Sequence, residues 1–375
     1  MISRPEPLFF FVVTGGTERK ILQLREQRKR AAPTEPVCLL AHPGNNSLPA
    51  ALEVLARLRQ DGERGEIFYL QGPKDILGLA LVAQIALDLK AFHELHGTRI
   101  GLVGSPSDWL VASSPDPEQV KKIWGPEVIP IHLDDLIELI PSFSDKHIKA
   151  PIDSLVAKAA EVQEPSQREL QDAVRVYLAT RQLVDKYDLH AITVRCFDLL
   201  SQLKTTGCFA LAELNDHGIV GGCEGDLCST VAMLWVCKRL NQPSWMANPA
   251  QIDAQNNSLW LAHCTIPLSL IEDYRLRSHF ESGLGVAIQG EMHSGPITLV
   301  RIGGKKLEKL WLTEGEMLKM GAADNLCRTQ AEVHLSKDYS VVDLLRAPLG
   351  NHLVLVPGHH AGCLRRWWRT MISGT

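Results

Sequence analysis

Residues 221–235 read GGCEGDLCSTVAMLW. Two glycines open the stretch, Glu224 and Asp226 follow one residue apart, and an apolar run of Leu227, Val231, Ala232, Leu234 and Trp235 closes it. Ile219 and Val220 lead in as the end of a strand. Strand, glycine turn, helix is one step of an α/β unit, and in parallel sheets the functional loops lie at the carboxyl ends of the strands. Carboxylates on such a turn sit where the helix dipole favours negative charge. The pair has two readings: Asp226 is a helix cap with Glu224 a loop charge, or both belong to a site.

Upstream, the same alternation recurs. Apolar runs at Leu8–Val13, Val37–Ala41, Glu66–Leu70, Arg99–Val103, Val128–Ile131 and Ala191–Val194 are expected strands. Helices are expected after Ser47, with Leu52, Leu55 and Leu58 on one face, and over Ile76–Leu89, Leu133–Ile140, Glu169–Tyr187 and Cys208–Asn215. Ser47 or Asn46 would cap the first of them. Pro141–Gln167 mixes prolines, serines and charges and reads as a connection between domains. The polar turns 42–47 and 105–109 are candidate ligand loops, or ordinary strand-to-helix turns. Downstream of Trp235 the helices thin out. Ser258–Ala262, Gly285–Gln289, Ile297–Ile302, Leu307–Thr313 and Leu353–Val356 are short strands between glycine turns, the pattern of an antiparallel sheet or barrel. The expected fold is therefore α/β: two Rossmann-like parallel domains, residues 1–150 and 151–250, followed by a β-rich, barrel-like C-terminal domain, residues 251–375. The closing basic helix, Leu364–Met371, packs on its own domain or forms an interface.

A chain of 375 residues needs two or three cores. Its net charge of -4 argues against a nucleic-acid partner bound through a broad basic surface. The nine cysteines are scattered with no CxxC pair, which suits reduced thiols better than disulfides or a zinc site. The first apolar run, LFFFVV, is too short to span a bilayer, and no other window of spanning length is free of charges. The expectation is a soluble, cytoplasmic protein with no membrane partner.

Three polar clusters accompany the acidic pair: AHCT at 262–265, SHFESG at 278–283 and GNHLVLVPGHH at 350–360. A histidine beside a strand is more often a structural hydrogen-bonding residue than a ligand, and His42, His217 and His293 fall under the same caution. Carboxylate, imidazole and amide oxygen together nevertheless suit a divalent ion such as Mn²⁺ or Mg²⁺. There is no P-loop, no GxGxxG after the first strand and no GxSxG elbow.

CEGDLCSTVAMLW resembles the catalytic segment of the L-fucose and L-arabinose isomerases, an E-[GN]-D followed by a small-residue, apolar helix. SWMANP at 244–249 falls where the fucose isomerases have their second catalytic acid. LGNHLVLVPGHHAGCL is similar to their C-terminal N-H-x-V-I-x-x-G-H segment. AHCTIP, HFESGLGVAIQGEM and GPITLVRI, with HPGNNSLPAALE and GLVGSPSDWLVAS nearer the N-terminus, resemble the shorter fucose-isomerase-like proteins. The resemblance implies an aldose–ketose isomerase with two α/β domains and a β-rich third. In such enzymes a divalent ion, usually Mn²⁺, holds O1 and O2 of the open-chain sugar while an acid–base group moves a proton between C1 and C2 through an enediol. Carried over, Glu224 is a metal ligand and acid–base group, His352 is a metal ligand, and Asn248 takes the place of an aspartate ligand.

An amide can ligate a metal but cannot exchange a proton at neutral pH. The second base then falls to Asp226, Glu213 or His263, with His263 favoured, or Glu224 acts alone. Arg195 and the loop of Ser105 and Trp109 are candidates to hold the far end of the substrate, an arginine suiting an anionic substituent; a salt bridge from Arg195 to Asp198 is the plainer alternative. The substrate implied is a hexose, a pentose, or a 6-substituted deoxy or sulfo sugar. A sugar-binding or regulatory homologue, or a metal-dependent epimerase on the same scaffold, is the alternative. Such isomerases are trimers or hexamers, so a homo-oligomer is expected, with His42, Asn45 and Asn46 of a neighbouring subunit as candidates to complete the pocket.

Overall fold

The computed structural model describes residues 6–373. The chain divides into two compact units. One runs to His96 and takes in the residues from Gly362 onward; the other is Gly97–Ala361.

In the first unit β1 (Phe9–Phe11), β2 (Val37–Ala41) and β3 (Gly65–Tyr69) form a parallel sheet with β2 in the centre. Val37, Leu39 and Ala41 of β2 meet Ala51, Val54 and Leu58 of the helix Ser47–Gln60 in its core. Asn46 does not cap that helix through its side chain; it stands at φ 56°, and Ser47 Oγ instead accepts from the His42 amide at 3.0 Å. The helix Ile76–His96 extends past the expected end at Leu89 because Phe92 and Leu95 continue its buried stripe of Ile85 and Leu89. At 21 residues and mean hydropathy 1.5 it is, among the described residues, the one helix long and apolar enough to cross a membrane, although Asp88 and Lys90 interrupt its apolar stretch. Within the unit it carries Asp88, fully buried, which accepts from Arg366 Nε at 2.8 Å and whose carbonyl accepts from Trp367 Nε1 at 2.9 Å. The closing helix therefore belongs here and not to the β-rich region.

The second unit contains β4 (Arg99–Val103), β5 (Glu127–Ile131), β6 (Glu161–Val162), β7 (Ala191–Val194), β8 (Val220–Cys223), β9 (Trp245–Asp253), β10 (Ser258–His263), β11 (Asp273–Arg277), β12 (Ala287–Glu291), β13 (Gly295–Gly303), β14 (Lys309–Met320), β15 (Thr329–Leu335) and β16 (Leu353–Pro357). A parallel sheet runs β5-β4-β7-β8, a closed six-stranded barrel runs β10-β15-β14-β13-β16-β9, and β12-β11-β6 make a small third sheet. All barrel neighbours are antiparallel. The fold class is the expected one, parallel α/β layers and a β-barrel. Its division differs from boundaries at 150 and 250. β4 pairs with β5 on one side and β7 on the other, so residue 150 falls inside one sheet.

Residues 141–167 are not a linker. They hold the helix Asp145–Lys158, whose Ile148, Ile152 and Leu155 at helical spacing join the barrel core with Leu261, Leu276 and Leu299. β9 escaped the sequence reading because it carries Asn248, Pro249 and Gln251. A proline is tolerated where the ladder is already interrupted, and the β9–β10 register shifts between Trp260 and Leu261, opposite Gln251 and Pro249.

Candidate functional site

The turn after β8 is tightly wound. Glu224 stands at φ 64° and Gly225 at φ 74°, two successive left-handed residues. A side chain at Gly225 would place its Cβ 2.7 Å from Pro106 Cα, so the position requires glycine on both counts. The chain then enters the helix Leu227–Leu240 with Asp226 as its N-cap, accepting from the Ser229 amide at 2.8 Å. The Ser107 amide donates to Glu224 O at 2.8 Å and ties the 104–109 loop to the turn. A glutamate held in αL is costly, and such strain persists where surrounding contacts enforce it, commonly at functional sites.

Asp226 has no exposed surface. It accepts from Arg301 Nη1 at 3.0 Å, from Ser229 Oγ at 2.9 Å and from His352 Nδ1 at 2.9 Å. Burial alone would push its carboxyl up; the Arg301 guanidinium and the His352 contact outweigh that and hold it well below the usual carboxylate range. An ionised carboxylate only accepts, so His352 Nδ1 carries a proton, and in the neutral ring the lone pair is left on Nε2. That Nε2 is buried, has no hydrogen-bond partner and lies 3.8 Å from Glu224 Oε1. Glu224 is fixed from the other side: its Oε2 accepts from Trp109 Nε1 at 2.6 Å.

His263, at the end of β10, completes the group. Ligand atoms of Glu224, His263 and His352 lie within 4.8 Å of one another, and all three residues are buried. The His263 and His352 rings meet edge to face at 5.5 Å, and His263 Nδ1 pairs with Thr265 Oγ1 at 2.8 Å. Burial, with His352 adding, pushes the His263 imidazole down to about 3, so it is neutral at ordinary pH. Two imidazoles and a carboxyl group around an unpartnered nitrogen fit a divalent ion. A carboxylate behind a ligating histidine is the usual outer support of such a centre.

Glu224 and His263 of the triad line a cavity of about 570 Å³ whose walls also include Trp109, Phe197, Asn248, His279, Phe280 and Glu281. All its walls come from the second unit. Of the candidates read from sequence, Glu224, His263, Asn248 and Trp109 reach the cavity. Asn248 donates its amide to Asn351 O at 3.5 Å. Asp226 is not in the wall; it acts on His352 from behind. His263 stands with the ligand atoms of Glu224 and His352, its imidazole made weakly basic by burial. Arg195 and Ser105 bind each other. The Arg195 guanidinium donates to Ser105 Oγ at 3.0 Å, Pro106 O at 2.7 Å, Asp108 Oδ2 at 3.1 Å and Asp198 at 3.0 Å, and it braces the loop without facing the cavity. Glu213 lies outside the lining, on the helix Cys208–Asp216. Asn46 belongs to the first unit. The sequence reading missed Arg301 and Glu281. Arg301 had a visible signal, a lone cation inside the apolar run ITLVRI; Glu281 sat in the quoted SHFESG without being singled out.

The L-arabinose isomerase central domain family matches residues 116–243, from the helix Pro117–Trp124 through the acidic turn and the helix behind it. A sulfoquinovose isomerase of Clostridium sp. (strain MSTE9) is 25% identical over 225 residues, 58% of this chain and 49% of that protein. Sulfoquinovose isomerases of Priestia aryabhattai and Priestia megaterium (strain ATCC 12872 / QMB1551) are each 22% identical over 285 residues, 72% of this chain and 61% of theirs. The aligned part of the chain thus spans about half to three-fifths of the length of these curated relatives. The acidic turn on its parallel sheet and these matches together support a likeness of this chain to the L-fucose/L-arabinose isomerase-like superfamily.

Proposed function

We propose that the protein is an aldose–ketose isomerase dependent on a divalent cation. It would shift the carbonyl of an open-chain sugar between C1 and C2 through an enediol. The observation that carries this reading is the triad of Glu224, His263 and His352, with His352 Nε2 buried and unpartnered beside a cavity large enough for a sugar. The family match and the relatives named sulfoquinovose isomerases support the substrate class, a hexose, a pentose or a 6-substituted sugar.

Glu224, His263 and His352 would hold the ion, with the Asn248 amide oxygen available in the same wall. Two imidazoles with a carboxylate shift the donor set from one suited to Mg²⁺ toward a first-row transition ion such as Mn²⁺. When bound, the ion would polarise the sugar carbonyl and stabilise charge on its oxygens. Asp226 holds His352 in the tautomer that ligates. Trp109 fixes one Glu224 oxygen, so the carboxylate is oriented to take a proton from one carbon and return it to the next on the same face. Asn248 cannot serve as the second acid; Glu281 is the other carboxylate of the cavity wall and takes that role for the hydroxyl protons.

The test is incubation with Mn²⁺ and a panel of neutral, deoxy and sulfo aldoses and ketoses in D₂O, followed by NMR. Interconversion with deuterium entering at C1 or C2 is expected. If no sugar interconverts or exchanges with any divalent ion, the isomerase assignment is wrong. Asn248 favours one other reading, a sugar binder without turnover. There Glu224→Gln would leave sugar affinity largely intact, with no turnover to lose.

A further inference from the structure

The cavity wall is unusually rich in thiols: Cys196, Cys208, Cys223, Cys264 and Cys327 all line it. Cys208, Cys264 and Cys327 pack against one another under Ala287. Cys196 and Cys223 form a closer pair. Cys196 is the first residue of the helix Cys196–Leu203, two positions past the end of β7, and Cys223 is the last residue of β8. β7 and β8 are parallel neighbours with Val194 opposite Cys223, so the two cysteines meet across adjacent strand ends. Cys223 Sγ donates to Cys196 Sγ at 3.2 Å, and Cys196 Sγ to Val194 O at 3.3 Å. Each is 5% exposed, and that exposure is to the cavity. Cys38 and Cys228, also free, are fully buried and outside that wall.

We propose that Cys196 and Cys223 are a dithiol modification site, oxidised to a disulfide by small hydroperoxides that enter the cavity. A hydroperoxide ROOH takes one thiol to its sulfenic acid and leaves as ROH. The second thiol attacks the sulfenic sulfur, the S–S bond forms and water departs. Two thiols lose two protons and two electrons, and the electrons reduce the O–O bond. Bond formation draws the sulfurs from 3.2 Å to about 2.05 Å. Cys223 is joined directly to Glu224, whose backbone is already in a strained conformation. The contraction is therefore transmitted to the carboxylate and separates it from the two histidines. Oxidation weakens ion binding, and a dithiol reductant restores it. The effect on ion binding rests on the proposed metal centre; the cross-link does not.

The test uses the full-length protein. It is treated with a small excess of hydrogen peroxide, remaining thiols are alkylated, and disulfides are mapped by peptide mass. The expected product is one linked peptide joining Cys196 to Cys223, two hydrogens lighter than its parts and lost on treatment with dithiothreitol. The oxidised protein should bind Mn²⁺ at least tenfold more weakly by calorimetry. Cys196→Ser should give no linked peptide and an affinity that peroxide does not alter; Cys223→Ala serves if that variant does not fold. Alkylation of both cysteines after peroxide treatment, or linkage of Cys264 to Cys208 or Cys327 in their place, would overturn the assignment of the site. A linked peptide with unchanged Mn²⁺ affinity would overturn the coupling to Glu224. A protein that forms the linked peptide but never binds Mn²⁺ refutes the metal-centre reading alone.

Discussion

Asp226→Asn preserves the shape of a fully buried side chain and removes its charge. The native Oδ2 accepts from His352, Ser229 Oγ and Arg301, and Oδ1 accepts from the Ser229 amide. A carboxamide has one acceptor oxygen and two N–H donors. With its oxygen toward His352 and Arg301, the NH₂ group faces the Ser229 amide; reversed, it faces both His352 and Arg301. Either way a buried donor is orphaned, at about 1–3 kcal/mol. Arg301, 1% exposed, also loses its countercharge, and a broken buried pair costs about 3–5 kcal/mol. These two costs overlap, so about 3–5 kcal/mol of destabilisation is expected in urea unfolding of the metal-free protein. His352 loses the acceptor that fixes its Nδ1 proton, and loss of such support lowers metal affinity about 10–100-fold. Calorimetric titration with Mn²⁺, on samples shown to be folded by circular dichroism, should register that rise in Kd. If the variant is folded and binds Mn²⁺ as tightly as the parent, then Asp226 does not orient His352 and the metal-centre argument loses its support.

Glu224→Gln should abolish isomerisation, with a rate loss of several orders of magnitude, and weaken Mn²⁺ binding; retained turnover would move the proton transfer elsewhere. Trp109→Phe removes a hydrogen bond to a charged group, worth about 1.5–3 kcal/mol, and should lower kcat about tenfold or more while the fold stays intact by circular dichroism. Gly225→Ala meets both a left-handed backbone and Pro106, so its unfolding midpoint should fall clearly below that of the parent. For metal-free protein, His263 supplies a pH dependence. Its folded value of about 3 lies below the unfolded value, so between those limits the unfolded chain binds more protons. Stability should fall as pH drops from about 6.5 toward 3, by a few kcal/mol from this residue; His263→Asn should flatten the slope, and an unchanged slope would show that the ring is not buried neutral.

The parts of the fold governed by local pattern were legible in the sequence. β2, β4 and β7 fall on the expected residues because continuous apolar runs ending in polar turns have few other readings. Glu224 and His352 were legible through motif, and the structure brings them within 3.8 Å. What was not legible depends on partners distant in the chain. The basicity of His263 is set by its burial against His352, and the donors of Arg195 are satisfied by a loop some ninety residues away. The helix Asp145–Lys158 was hidden because its charged and proline-bearing face drowned a three-residue apolar stripe. β9 was hidden because a proline at a bulge looks locally like a loop.

The long reach of the Asp226 contacts bears on how the chain folds. Asp226 meets Arg301 across 75 residues and His352 across 126, so the parallel sheet and the closed barrel must both be formed before those contacts exist. Long-range closures of this kind are slow steps. An ion present early in refolding would find Glu224 without its two imidazoles and would be held only weakly. Tight retention of the ion then becomes a clock for the last stage of assembly, trailing the appearance of β-structure rather than accompanying it. An ion that bound the proposed centre in the finished state alone would also shift the final equilibrium toward that state. A cell with ample metal would hold more of the chain in its assembled form, without any change in how fast the barrel closes.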